Sequence, residues 1–240
     1  MGGAPPLKLL VSVVDAEEAL EALRGGADII DVKNPLEGSL GACPPRIVNE
    51  VKEAVMGKAE VSAAIGDAPN LPGTISLAAL GAAVSGADYV KVGVYGPKSL
   101  EDAVTLLKGV REAVKSYSDR VRVVAASYAD YLRSGCLDPG KVLEAAYKAE
   151  VDVWMVDTKV KDGKTLFHFM DPGLLKSMVN KAHELGLMAA IAGSLTHREA
   201  PLICETGADV VGFRGAACEG DRVNGRVRAH LVRSLKLKIA

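Results

Sequence analysis

Four segments of the chain align without gaps: GADIIDVK from Gly26, GADYVKVG from Gly86, EVDVWMVD from Glu150 and GADVVGFR from Gly207. They recur about every 60 residues, and each interval holds one further short Val/Ile/Ala-rich run and two segments with helical Ala/Leu/Glu/Lys spacing. The repeat is therefore two strand–helix units, and four repeats predict eight parallel strands, each followed by a helix. That is a (β/α)8 TIM barrel, read as a single domain over residues 1–240, close to the usual size of about 250 residues. The predicted strands are 8–14, 28–33, 60–65, 89–94, 122–127, 153–157, 188–192 and 210–213, and the helices are 16–24, 45–56, 75–85, 100–117, 140–148, 174–185, 198–205 and 224–236. The strand runs are continuously apolar rather than alternating, as strands covered on both faces require. A doubly wound open sheet is the other arrangement with this pattern, but VSVVDAEEA stands where its GxGxxG fingerprint would follow the first strand.

The alignment also predicts which side chains meet. Strand residues alternate between barrel interior and helix layer, and alternate strands contribute to the same interior layer. With Ile29, Tyr89, Val153 and Val210 in a lower layer, the next holds Asp31, Lys91, Met155 and Gly212, and the mouth holds Lys33, Gly93, Asp157 and Arg214. Ile30, Val32, Val90, Val92, Trp154 and Val156 then face the helices. Five charged groups converge on one end of the barrel, where buried charges must pair, hold water or receive a charged ligand. As a purely structural plug, Asp31 would pair with Lys33 or Lys91, and Asp157 with Arg214. The carboxyl ends of barrel strands are the usual place for catalytic groups, which favours chemistry.

Two lysines side by side suggest imine formation, since a neutral amine adds to a carbonyl. Bringing a lysine from its reference value near 10.4 to roughly 7.5 takes about 4 kcal/mol. Desolvation and a neighbouring ammonium push that way; Asp31 and Asp157 oppose it. Charge arithmetic alone leaves open which lysine is the nucleophile. The loops after strands seven and eight are suited to phosphate, offering Gly193 and Ser194 in AGSLTHRE, and Gly215 and Ala216 beside Arg214 in FRGAACEGDR. NPLEGSLGA, with Gly38, Ser39 and Gly41, could close on a ligand after the Lys33 strand. His168 reads as a packed loop residue between aromatics, His183 and His230 as helical surface or structure, and His197 as a cap or phosphate contact. Cys43 and Cys218 lie near the same end without an adjacent base. The C-terminal RVRAHLVRSLKLK reads as an amphipathic helix packed on the barrel.

Composition narrows the partners. With 29 Lys+Arg against 30 Asp+Glu the net charge is −1, giving no basic excess for nucleic acid. No apolar run reaches the roughly 18 residues of a membrane span, and MGGAPPLKLL lacks a signal-like core. The 4 cysteines are scattered without a CxxC pair, which speaks against a zinc site and fits a reducing cytoplasm. A small molecule is the expected partner. No heptad or apolar patch marks a seam, although many such barrels form homo-oligomers.

DVKNPLEGSLGA, YVKVGVYG, the DTxxKDGKTLF stretch from Asp157 and AGSLTHRE together resemble the (5-formylfuran-3-yl)methyl phosphate synthase family, also called 4-(hydroxymethyl)-2-furancarboxaldehyde-phosphate synthase. The similarity covers nearly the whole chain. It implies a TIM-barrel lyase of methanofuran biosynthesis that condenses two molecules of glyceraldehyde 3-phosphate, losing phosphate and water, with no metal and no organic cofactor. By that resemblance Lys33 forms the Schiff base, Lys91 accepts a proton, and Asp31, Asp157 and Lys161 complete the charged site. Lys161 lies beyond the strand, where the layer argument does not reach, and Lys159 shares the parity of Asp157. Two phosphates need two sites, one at the loops after strands seven and eight, the other involving Lys161, Ser39 or another loop. The competing readings are a class I aldolase acting on a sugar phosphate and a non-catalytic barrel that binds a phosphometabolite.

Overall fold

In the computed structural model, which describes residues 6–240, every strand of the main sheet pairs in parallel with the next in sequence and β8 returns to β1. The strands are β1 (Lys8–Val13), β2 (Ile29–Val32), β3 (Glu60–Ala68), β4 (Tyr89–Val94), β5 (Arg122–Tyr128), β6 (Val153–Asp157), β7 (Met188–Ile191) and β8 (Val210–Phe213). The helices are α1 (Ala16–Gly25), α2 (Pro45–Val55), α3 (Pro72–Val84), α4 (Leu100–Tyr117), α5 (Tyr131–Ser134), α6 (Pro139–Lys148), α7 (Leu166–Phe169), α8 (Pro172–Glu184), α9 (Ala200–Thr206) and α10 (Ala229–Ile239). The neighbours and closure are those of a (β/α)8 TIM barrel. None of these helices is long and apolar enough to cross a membrane.

Strand parity sorts the core into two bodies. Leu10, Ile29, Tyr89, Val124, Val153, Met155 and Val210 fill the barrel interior, while Leu9, Val11, Ile30, Val32, Val90, Val92, Trp154 and Val156 pack under the helices. Each fully buried side chain of this kind contributes about 1.5–3 kcal/mol. Two glycines complete the interior set: a Cβ on Gly93 would overlap the Tyr128 hydroxyl, and one on Gly212 would lie 3.3 Å from Leu10 Cδ2. The register sets Ser12 beside Asp31 and Asp31 beside Ser62. Three polar side chains thus meet on neighbouring strands in the barrel interior.

The ends of the elements depart from the periodicity where local chemistry intervenes. α3 starts at Pro72 rather than 75, because proline at a first-turn position loses no helical hydrogen bond. After β7, Thr196 and Glu199 form a capping box around a 3-10 turn, His197–Glu199, before α9 begins. The largest difference concerns 224–236. Residues there begin as a ribbon, β9 (Cys218–Glu219) against β10 (Arg226–Val227), and α10 starts only at Ala229. The Asp221 carboxylate accepts the N–H groups of Val223 at 2.7 Å and Asn224 at 2.8 Å, an Asx turn that reverses the chain instead of starting a helix. α10 then lies on α1 so closely that a Cβ on Gly25 would come within 2.7 Å of the Ala229 carbonyl oxygen and overlap Val232. The ribbon itself packs against α1 and the turn after β8.

Candidate active site

At the carboxyl ends of the strands lies a cavity of about 340 Å³ whose charged lining comprises Lys33, Lys91, Asp157, Lys161, Arg214 and Arg222. Asp31 is fully buried beneath it. Both Asp31 oxygens accept hydrogen bonds from Lys91 Nζ at 2.8 Å, one also from Ser12 and the other from Ser62, each at 2.8 Å. An isolated carboxylate there would cost several kcal/mol; four hydrogen bonds and a cation offset that cost. Ser12 and Ser62 are polar interruptions at interior parity in β1 and β3, a signal the sequence carried and the four-segment alignment did not reach.

Asp157, at the end of β6, accepts Lys161 Nζ at 2.5 Å and the Thr158 N–H at 2.7 Å. Burial would raise its carboxyl, but the charges of Lys161 and Lys33 and these hydrogen bonds outweigh burial and hold it below the ordinary carboxylate value. The chain leaves the strand after Asp157, so parity lapses, and Lys161 returns to the cavity. Lys159 instead bonds Asp67 at 3.1 Å and lies 4.8 Å over the Tyr95 ring, off the cavity wall. Of the two pairs a structural plug would use, Asp31 with Lys91 is present. Asp157 does not pair with Arg214, because Lys161 occupies that carboxylate and Arg214 turns to Glu18.

Lys33, one residue past β2, is buried, and its amine makes no hydrogen bond or ion pair among the described residues. Burial, followed by the positive charge of Lys91, lowers its amine from 10.5 to about 7 against the opposing pull of Asp157 and Asp31. Near neutral pH a substantial part of this amine is unprotonated, where a free lysine is almost wholly charged.

Arg214 lies on the cavity wall but spends its donors elsewhere. Its guanidinium bonds the buried Glu18, the carbonyls of Ser12 and Arg222 at 3.1 Å, and Gly225 at 3.4 Å. Those contacts occupy its N–H groups and tie it to α1 and to the ribbon. Ser39 is also bonded within the protein. It is buried, its hydroxyl donates to the Thr158 carbonyl at 2.8 Å, its N–H donates to Asp67 at 3.0 Å, and it is not on the wall. Gly193, Ser194, Gly215 and Ala216 do line the cavity. Gly193 (φ 118°) and Ser194 (φ 52°) both take positive φ. The N–H groups of all four residues meet no acceptor among the described residues. Small residues with unspent amides facing a cavity suit an anion.

Arg222 and Glu18 escaped the sequence reading. Glu18 sits on the buried face of α1 with Ala19 and Ala22 and looks from sequence like a surface helix residue. Arg222 belongs to the ribbon turn, which no periodicity describes. The discounted residues lie apart from the cavity. His168 is exposed, its ring centroid 4.9 Å from that of Phe169; His183 bonds Asp209 at 2.9 Å; and burial raises the Cys43 thiol to about 11 and the Cys218 thiol in the same direction.

Known proteins resemble both sequence and fold. The family model described as 4-HFC-P synthase matches residues 9–236. A (5-formylfuran-3-yl)methyl phosphate synthase of Methanopyrus kandleri is 53% identical over 234 residues, 97% of this chain and 99% of that protein. One of Methanocaldococcus jannaschii is 53% identical over 229 residues, 95% of this chain and 97% of that protein. Among solved structures, KGPDC from Streptococcus mutans in complex with D-R5P superposes with a TM-score of 0.67 at 17% identity, covering 97% of each chain. The 3-hexulose-6-phosphate synthase of Salmonella typhimurium superposes at 0.61 and 17% identity, covering 98% of this chain and 100% of that one. At these identities the structural likeness concerns the fold.

Proposed function

Since the chain belongs to the 4-HFC-P synthase family, we propose that it condenses two molecules of glyceraldehyde 3-phosphate into 4-(hydroxymethyl)-2-furancarboxaldehyde phosphate through a Schiff base at Lys33, as a lyase of methanofuran biosynthesis. The observation that carries this reading is the Lys33 amine, buried on the cavity wall without a partner and lowered to about 7.

The neutral amine of Lys33 adds to the carbonyl carbon of one triose phosphate, and loss of water leaves an iminium ion. That ion accepts the electron pair released when a proton leaves the adjacent carbon, giving an enamine. Lys91 lines the cavity and is hydrogen-bonded to Asp31 at 2.8 Å, so it first passes a proton to that carboxylate, and its freed lone pair then takes the proton from carbon. The enamine carbon bonds to the aldehyde carbon of the second triose phosphate, whose oxygen collects a proton. Lys161, held on Asp157 at 2.5 Å, supplies protons to departing oxygens during elimination of inorganic phosphate and ring-closing dehydration. Hydrolysis of the imine returns Lys33. The amides of Gly193, Ser194, Gly215 and Ala216 hold one substrate phosphate, which fixes the reacting carbonyl over Lys33.

Incubation with glyceraldehyde 3-phosphate tests the reading. Release of inorganic phosphate, growth of a furan absorption band and a borohydride-stabilised adduct on the Lys33 peptide are expected. A sugar phosphate with the adduct but no phosphate release would make the protein a class I aldolase. Tight binding with neither adduct nor turnover would make it a non-catalytic phosphometabolite-binding barrel.

A further inference from the structure

Counting charge around the cavity leaves two cations over. Asp31 neutralises Lys91, Asp157 neutralises Lys161, and the buried Glu18 neutralises Arg214. Lys33 and Arg222 have no carboxylate of their own. A lysine can meet that situation by releasing its proton, and Lys33 is lowered to about 7. A guanidinium at neutral pH cannot. Arg222 therefore keeps its charge on the wall of a partly enclosed cavity, where Asp157, Asp221 and Asp67 attract it without forming an ion pair, so its fork is open to an anion from solution.

The surroundings of Arg222 suit that task. Among the described residues it is the one arginine outside the exposed class that lacks an ion pair; Arg111, Arg122, Arg214 and Arg226 each have one. Its position is fixed from both ends. The Arg222 carbonyl accepts the Arg214 Nε–H at 3.1 Å, and its guanidinium reaches the carbonyls of Pro35 and Gly38 in the loop after β2, each at 3.5 Å. Those two contacts are long and weak, so they orient the fork without satisfying it. The direction matters as well. Arg222 Cβ lies over Gly215, 3.7 Å from where a Cβ there would sit, whereas the guanidinium has crossed to the β2 side of the mouth. It points away from the amides of Gly193, Ser194, Gly215 and Ala216, toward the loop that follows Lys33.

We propose that Arg222 is the binding group of a second phosphate subsite, on the β2 side of the cavity, which takes the phosphate of the second triose phosphate. The inference rests on the condensation read above, because a reaction between two phosphorylated molecules needs two anion sites in one cavity. A planar guanidinium can give a phosphate two parallel charge-assisted hydrogen bonds, and an ammonium cannot reproduce that geometry. The Glu18–Arg214 pair then acts as a positioning device for the ribbon that carries Arg222.

The test uses wild type, Arg222→Ala and Arg222→Lys, each checked for an unchanged thermal transition. Calorimetric titration with inorganic phosphate should find two anion sites in wild type and one in Arg222→Ala. With glyceraldehyde 3-phosphate, Arg222→Ala should keep its borohydride adduct at Lys33, while the KM for furan formation rises at least about ten-fold; Arg222→Lys should recover part of the loss. Two anion sites in Arg222→Ala, or an unchanged KM, would overturn the assignment. Parallel loss of adduct and product in Arg222→Ala would also overturn it, placing the guanidinium on the first substrate. Absence of the adduct in wild type would instead remove the Schiff-base reading, and the phosphate count would still decide Arg222.

Discussion

Lys91 Nζ lies 2.8 Å from both carboxylate oxygens of Asp31, deep in the barrel interior. The pair sits directly under the cavity and fixes a positive charge beside Lys33, which, after burial, is the largest influence lowering that amine. Asp31 opposes this effect from farther down the order of causes. A buried ion pair that looks like scaffold is thus part of what lowers the neighbouring amine.

Replacing Asp31 with Asn should destabilise the protein by roughly 3–5 kcal/mol, since it leaves Lys91 buried without its counter-charge. Thermal unfolding measures the loss. With the negative charge gone, the Lys33 titration should also move further below 7. An unchanged transition temperature would mean that Lys91 finds another partner.

The rate of imine formation should rise with pH through about 7 and then level off, because only the unprotonated Lys33 attacks a carbonyl. At pH 6 it should be about ten-fold below the plateau. Rapid-quench borohydride trapping across pH 5.5–9 reads this profile. A rate still climbing steeply at pH 9 would require an amine near the ordinary lysine value.

Lys33→Met should end turnover and raise stability. The unfolded chain holds the Lys33 proton up to 10.5 and the folded chain only to about 7, so between those values the unfolded state binds more protons and native stability rises with pH. The full penalty of the buried amine is therefore present below about 7 and has vanished above 10.5. The methionine variant should gain on the order of 5 kcal/mol at pH 6, less as the pH rises toward 10. Denaturant titrations at the two pH values make the comparison.

Gly25→Ala should cost about 1–3 kcal/mol, because the added methyl overlaps Val232 and presses on the Ala229 carbonyl where α1 meets α10. Adding Val232→Ala should return part of that loss. A double-mutant cycle with no coupling would show that α10 shifts freely, and the ribbon carrying Arg222 with it.

The barrel was legible because its strands are short, apolar and repeated. Parity from Ile29 through Asp31 to Lys33, matched at Tyr89 and Lys91, set the interior before any coordinates. Lys161 was legible only through resemblance, since strand geometry ends at Asp157. Arg214 was legible in its place but not in its partner. Its parity brought it to the mouth, but its partner Glu18 comes from a helix face, and helix periodicity does not say that a single carboxylate points inward. Arg222 was hidden in an Asx turn whose path depends on Asp221, Val223 and Asn224 rather than on any repeat. Local side-chain to main-chain bonds of that kind decide where a loop residue ends up.

The most direct measurement is the titration of the Lys33 amine by NMR on protein labelled at lysine side chains, assigned by its loss in Lys33→Met. A midpoint near 7 is expected, moving lower still in Asp31→Asn. A Lys33 signal that titrates near 10, unmoved by changes at Asp31, would contradict the claim that this cavity holds a neutral nucleophilic lysine.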